Sequence, residues 1–358
     1  MKEQSALSKL LRRGDGLLVS HDGRGIGRVH LVSKQGGMAG QGIEVSGDAG
    51  ELLIHHYQLW QHKAVLEAKS VTINGNEMSF WDNDGQVIAS LFGAISAVIG
   101  GGDYTGKFYF AKEWCKQTLP ALIDMPGAKR GNFDDRHETG LTIFNAHEVA
   151  TTEGFHLTRS AHGGWVDKES IGLKLGGLDI FGRVVKADKD KDTPTNSYYF
   201  QLRGDGAIAR VGDWDVRLPV AQNAVVIAFA CDHPYPHPFN QIKTTAGALT
   251  AALEALETAV GKEAFNDSRF PVIIDATPEN VVLKGHVTAG ELTAVVIEGA
   301  TSPNYGQLAA PPHSWQYATK GTAADAPLTI GMADPMHPFW VMGSAVGNVL
   351  VMPCQYDH

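Results

Sequence analysis

Three stretches of the chain alternate apolar and polar residues with a period of two, the signature of strands that bury one face. In VTINGNEMSFWDNDGQVIASL, Val71 to Leu91, the apolar positions are Val71 and Ile73, then Met78 and Phe80, then Val87, Ala89 and Leu91. Asn74-Gly75 and Asp84-Gly85 fall between the runs, where two-residue hairpins need positive φ. Tyr198 to Val220 repeats the arrangement: Tyr198, Phe200 and Leu202 alternate, turns follow at Asp205-Gly206 and Gly212-Asp213, and Trp214, Val216 and Leu218 alternate again. Leu328 to Pro353 is the third, with turns at Asp334-Pro335 and Gly347-Asn348. These meanders start at residues 71, 198 and 328. A recurrence of about 130 residues predicts three copies of one unit, each the size of a small domain.

Helical spacing divides the chain in the same way. Thr245 to Val260 places Leu249, Leu253, Leu256 and Val260 on one face, and Ala111 to Met125 does so with Trp114, Thr118 and Leu122, kinked at Pro120. Ala6, Leu7, Leu10 and Leu11 form a short stripe at the start. Second helices are expected before each meander, over residues 57–69, 169–186 and 313–320. The unit reads helix, strands, helix, strands, which is an α+β class. Boundaries fall near residues 105 and 238, the latter in the proline-rich DHPYPHPFN, giving domains 1–105, 106–238 and 239–358.

The 358 residues are 43% hydrophobic and 19% charged, a globular composition. Thirty basic against 39 acidic residues leave a net charge of −9. A globally basic nucleic-acid binder is excluded, but a local basic surface on an acidic body is not. Cys115, Cys231 and Cys354 are odd in number and far apart, so a disulfide scaffold is not expected and a reducing, cytoplasmic compartment fits. The uncharged stretch Val87 to Gly102 is interrupted by Gly and Ser and too short to span a bilayer, and the charged opening MKEQSALSKLLRRG is not expected to be a signal peptide. No membrane association is expected.

Short catalytic motifs are few. GGDYTGKF, Gly101 to Phe108, has phosphate-loop spacing, but Phe108 stands where a Mg²⁺-binding hydroxyl belongs. DKDKD, Asp188 to Asp192, opens like a Ca²⁺ loop and then lacks glycine at its sixth position (Thr193) and glutamate at its twelfth (Tyr199). Cys231, Asp232, His233 and His237, or His55, His56 and His62, offer metal-ligand types with no second pair at dependable spacing. G-x-S-x-G and H-E-x-x-H are absent from the sequence. No catalytic residue, metal or cofactor is expected, and the protein reads as a non-enzyme. Cations do recur on the expected helices: Lys9, Arg12 and Arg13; Lys63 and Lys69; Lys112 and Lys116; Lys174, Arg183 and Lys186; and Lys320. Facing a common axis, they would line a basic surface that holds nucleic acid by its phosphates, without reading sequence.

Two local motifs resemble the bacterial-type β sliding clamp, the processivity subunit of replicative DNA polymerase. VATTEGFHL, Val149 to Leu157, is similar to that family's middle-domain motif V-A-T-D-G-H-R-L, with one extra threonine. Leu350-Val351-Met352-Pro353 resembles its terminal V-V-M-P, and TIGMADPMHPFWVMG before it resembles the last-domain run with acidic-Pro-x-x-Pro between two strands. Phe155-His156 in place of the usual His-Arg marks a divergent member, such as one encoded by a phage or plasmid.

The resemblance implies three tandem clamp domains, each with antiparallel sheets outside and two helices inside, forming part of a ring. It implies a head-to-tail homodimer around double-stranded DNA, with the recurring helix cations facing the duplex. It also implies a hydrophobic pocket for short linear peptides of the DNA polymerase and clamp loader, built here from Thr152, Gly154, Phe155, His156, Leu157, Leu350, Val351, Met352 and Pro353, with a proline between Pro234 and Pro238 as a further wall. The rival reading is a β-rich structural protein of a phage particle, a tail or baseplate component, which abundant glycine and short strands also fit. A nucleotide enzyme using Lys107 is the third.

Overall fold

A computed structural model describes residues 6–34, 36–96, 98–124, 140–143, 148–152, 156–161, 171–174, 177–188, 197–221, 240–267, 270–288, 291–332 and 337–354. The chain divides into two compact units: Met1–Ile123 with Ile143–His147 and Gly163–Gln222, and Asp124–Thr142 with Glu148–His162 and Asn223–His358. These two units are not groupings of the three segments expected from the sequence, because the middle segment, 106–238, contributes to both.

The first unit opens with α1 (Ala6–Leu10), β1 (Gly16–His21), β2 (Ile26–Val32), β3 (Met38–Gly47) and β4 (Gly50–Ile54). It continues through α2 (His56–Gln61), a 3₁₀ turn (Lys63–Glu67), β5 (Ser70–Asn74), β6 (Glu77–Trp81), β7 (Val87–Phe92), β8 (Ala94–Ile95), β9 (Tyr104–Ala111), α3 (Lys112–Gln117) and α4 (Leu119–Ile123). After β10 (Gly140–Ile143) come β11 (Glu148–Thr152) and β12 (His156–Ala161), which belong to the second unit. The chain returns to the first with β13 (Ile171–Lys174), α5 (Leu178–Ala187), β14 (Ser197–Arg203), β15 (Gly206–Val211) and β16 (Trp214–Ala221). The second unit holds β17 (Gln241–Thr245), α6 (Ala246–Val260), α7 (Lys262–Phe265), β18 (Val272–Ala276), β19 (Val281–Thr288), β20 (Glu291–Val296) and β21 (Gly306–Ala310). It ends with α8 (Pro312–Thr319), β22 (Pro327–Gly331), β23 (Phe339–Ser344) and β24 (Gly347–Val351).

All three meanders form, as β5–β6–β7, β14–β15–β16 and β22–β23–β24, each antiparallel. The first turn is Gly75-Asn76 rather than Asn74-Gly75, with Gly75 at φ 61° as a two-residue hairpin requires. The glycine run before Tyr104 enters a strand, so Lys107 lies within β9 and heads no helix. That removes the strand–loop–helix cradle a phosphate loop needs.

In the first unit an aromatic cluster fixes α5 against β9 and β14: Phe200 stacks on Phe108 at 4.7 Å and meets Phe181 edge-on at 5.1 Å. In the second, α6 buries Leu249, Ala252, Leu253 and Leu256, and Thr245 caps its start by accepting from the Ala248 N–H at 3.2 Å. Trp315 of α8 stacks on Phe339 at 5.1 Å and donates to the Val272 carbonyl.

Helix extents are where sequence periodicity misled. The helix expected over 169–186 is a strand to Lys174 and a helix only from Leu178. The glycine pair that precedes Leu178 in the sequence brings the backbone freedom that stops a helix from propagating across it. The helix expected over 57–69 is six residues of α2 and the 3₁₀ turn. Ala111 to Met125 breaks between α3 and α4 at Thr118, leaving Pro120 in the first turn of α4, where its missing N–H costs nothing.

Candidate partner-binding and DNA-facing sites

The two motifs that carry the family resemblance lie nearly 200 residues apart in sequence, yet they are neighbouring strands of the second unit. β12 pairs antiparallel with β24, with His156 opposite Val351, Leu157 opposite Leu350 and Thr158 opposite Val349. β11 flanks β12 with Thr152 opposite Leu157, and β23 flanks β24 with Trp340 opposite Leu350. Gly347 lets the two strands approach: at φ 113°, a Cβ there would lie 2.2 Å from the Arg159 carbonyl oxygen.

Side chains alternate across this seam. His156, Thr158, Val349 and Val351 face α8. His156 Nε2 shares a 2.6 Å hydrogen bond with Ser314 Oγ, and Thr158 Oγ1 one of 3.1 Å with the Tyr317 hydroxyl. A histidine that close to a serine has the spacing of a base and its nucleophile. His156 and Ser314 are only 3% and 1% exposed, however, so no substrate reaches them and the pair ties β12 to the helix. Leu157, Leu350 and Trp340 share the opposite face. Burying each of the two leucines contributes roughly 1.5–3 kcal/mol.

Of the expected pocket residues, Leu157, Leu350, His156 and Val351 therefore meet, but as buried members of one sheet. Thr152 joins through the β11 pairing, while Gly154 and Phe155 lie outside the described residues, as do the prolines between 234 and 238. Met352, just past β24, is 45% exposed and Pro353 is half-buried. Among the described pocket candidates, Met352 is thus the apolar side chain left in solvent beside the seam. Trp340 was missed in the sequence, although the unbroken apolar run Phe339–Met342 marks a strand buried on both faces.

The expected DNA-facing cations divide sharply. Lys9 on α1, Lys116 on α3 and Lys186 on α5 are exposed, and α5 packs against both α1 and α3. Arg12 and Arg13 are exposed but lie beyond the end of α1 at Leu10, and Arg12 donates to Asp179 at 2.7 Å. Lys63 begins the 3₁₀ turn with its ammonium 3.3 Å from the Trp60 ring centre, and Lys69 is exposed just before β5. Lys112 is half-buried, 5.5 Å from the Tyr198 ring. Lys320 caps α8 and pairs with Asp124 at 3.0 Å.

Two members of the set need correcting. Lys174 is on a strand and half-buried, because the helix expected there does not form. Arg183 is on a helix but only 7% exposed. It forms a buried ion pair with Asp15, reinforced by a bond from Nη1 to the Leu10 carbonyl at 2.7 Å, which commits its charge to the interior of the first unit.

Other charges and edges went unread in the sequence. α6 carries no Lys or Arg and presents Glu254, exposed, and Glu257, half-buried. Among the described residues β7 and β20 are edge strands with apolar side chains in solvent: Val87 and Phe92 on one, Leu292 and Val296 on the other. His30 of β2 is fully buried, and burial, with Arg217 and Arg28 nearby, pushes its pKa down to about 3, so it stays neutral. Among the described residues no three metal-ligating side chains cluster, and no helix is long and apolar enough to cross a membrane. Cys231, His233 and His237 lie outside the described residues.

No protein-family model matches the sequence, and no curated protein matches it. Solved structures do match in fold. A protein from Eubacterium rectale assigned as a DNA polymerase III β subunit superposes with a TM-score of 0.68 at 9% identity, over 99% of this chain and 94% of that one. The DNA polymerase III β subunit of Thermotoga maritima gives 0.66 at 12% identity, over 98% and 95%. The β sliding clamp of Caulobacter crescentus, solved with polyethylene glycol at its proposed β-motif tethering region, gives 0.65 at 10% identity, over 99% and 94%. The fold is that of the β sliding clamp, an α+β arrangement of antiparallel sheets and helices, as the sequence resemblance implied.

Proposed function

We propose that this protein is a non-enzymatic DNA sliding clamp that encircles duplex DNA and tethers a replicative polymerase. The observation that carries the reading is the fold match, which runs over nearly the whole of this chain and of the matched structures. It does not favour the particle-protein alternative. In this reading the chain comprises three clamp domains, over residues 1–105, 106–238 and 239–358, and works in the cytoplasm. Topology replaces affinity, so contact with any one DNA site is weak. Lys9, Arg12, Arg13, Lys63, Lys69, Lys112, Lys116, Lys186 and Lys320 face the duplex and hold it through phosphates. Short peptides of the polymerase and of an ATP-driven loader dock at the β12–β24 seam, with Met352 as the exposed anchor.

Two copies close head to tail through their edge strands. β7 of one extends the sheet at β20 of the other, and Phe92 and Leu292 are thereby withdrawn from water. Such a heterologous contact ends in a ring only when its rotation closes. Retention on nicked circular DNA and on the same DNA linearised tests this. The expected result is slow loss from the circle and loss within seconds from the linear form, with Phe92→Glu equally short-lived on both. Equal retention of the wild-type protein on circle and line would sink the clamp reading.

A further inference from the structure

The face of the first unit's sheet turned away from α3 and α5 is basic and aromatic, in a protein whose net charge is −9. Along β9 and β14 the outward positions pair as Tyr109 with Tyr199, Lys107 with Gln201, and Tyr104 with Arg203. The residues between them, Phe108, Phe110, Phe200 and Leu202, are the buried core, so this alternation is fixed by packing on the other side. The Tyr109 and Tyr199 rings lie 5.2 Å apart, and Tyr104 is 53% exposed.

Beside them is a hollow of about 260 Å³ lined by Arg28, Tyr199, Gln201, Ile208, Arg210 and Asp215. Asp215 is the only carboxylate in that lining, and it is already shared: Arg28 donates to one oxygen, and Arg217 Nε to the other at 2.8 Å. Arg217 also reaches the Ile99 carbonyl at 2.8 Å, which anchors it. Arg210 has no carboxylate partner among the described residues, and burial first, then the charges of Arg217 and Arg210, hold the Arg28 pKa below its ordinary value. The hollow therefore holds more positive charge than its one acid neutralises, beside flat aromatic rings.

We propose that this sheet face binds single-stranded nucleic acid, with Arg210 and Arg28 on backbone phosphates and Tyr199, with Tyr109 beside it, stacking an unpaired base. A sheet that displays tyrosines between cations suits bases splayed from a flexible strand. A duplex keeps its bases stacked inside and would leave the tyrosines unused. An acidic peptide would answer the charge but not the rings. The hollow is smaller than the roughly 300–1,000 Å³ of a small-molecule pocket, which suits one unit of a chain lying across the sheet. The inference is independent of ring closure, because a short linear strand cannot be held by topology.

Fluorescence anisotropy with labelled dT12 at low salt, using the full-length protein, tests it. Arg210→Ala and Tyr199→Ala should each weaken binding about tenfold or more, and Tyr199→Phe should keep most of it. Arg210→Ala should also flatten the dependence of log affinity on log salt by about 0.7. Lys262→Ala, on a surface helix of the other unit, should change nothing. Thermal melts of each variant separate loss of binding from loss of fold. No dT12 binding at low salt, indifference to both alanine variants, or equal competition by a 12-base-pair duplex or a polyglutamate would each overturn the assignment.

Discussion

The helices of the two units carry opposite charge. In the first, the packed set α1, α3 and α5 presents Lys9, Lys116 and Lys186 to solvent. In the second, the longest helix, α6, presents Glu254 and no cation. A clamp built from this chain would grip DNA unevenly, with the first unit supplying attraction and the second leaving the duplex loosely held. Uneven grip is compatible with sliding, because phosphate contacts are sequence-independent and let a protein move along DNA.

The buried polar groups differ in the same sense. The first unit seals a full ion pair, Arg183 with Asp15, each 5% exposed at the side chain. The second seals neutral hydrogen bonds, His156 with Ser314 and Thr158 with Tyr317. Removing one partner of a buried ion pair strands a charge, whereas removing one partner of a neutral bond strands only a dipole.

The largest expected effect breaks that second contrast. Asp15→Ala should destabilise the protein by about 3–5 kcal/mol, and Ser314→Ala by only about 1–3 kcal/mol. Urea denaturation measures both, and equal losses would mean that the buried charge is not carried by Asp15 alone. Next, charge reversal sharpens the first contrast. Lys116→Glu with Lys186→Glu should shorten residence on circular DNA and reduce the salt slope by about 0.9 for each phosphate no longer neutralised. Glu254→Lys with Glu257→Lys should lengthen residence, and the same response to both pairs would rule out an uneven grip. The smallest structural effect belongs to Met352→Ala, with stability changed by less than about 0.5 kcal/mol. Binding of a fluorescein-labelled clamp-binding peptide should nonetheless fall about tenfold, and an unchanged affinity would remove Met352 as the anchor.

Much of the strand architecture was legible because a period of two is a local signal that half-burial imposes on every strand. Phe108, Phe110 and Phe200 are inward for that reason, and Gly75 and Gly212 turn the chain where φ is positive. Helix limits were less legible. The stripe through 169–186 contains apolar residues at helical spacing, but Ile171 and Leu173 are buried by a strand pairing with β16. No local rule distinguishes that use from a helix face. The candidate site was legible as two motifs and not as a place. Nothing near Leu157 or Leu350 in sequence says that they are opposite one another, nor that His156 turns away from Leu157 toward Ser314.

Arg183 and Lys186 show where the division falls. Their sequence spacing and helix are the same, and composition assigns both to a basic face. The sequence by itself determined the strand and turn pattern, the acidic balance and the two motifs that resemble a sliding clamp, because each depends on residue type and short-range spacing. Only the tertiary structure decided that Arg183 points to Asp15 inside the first unit while Lys186 meets solvent, and that residues 156–157 join 350–351 in one sheet. Those outcomes depend on which distant segment packs on each face, and burial and pairing across the chain are set by the whole core at once.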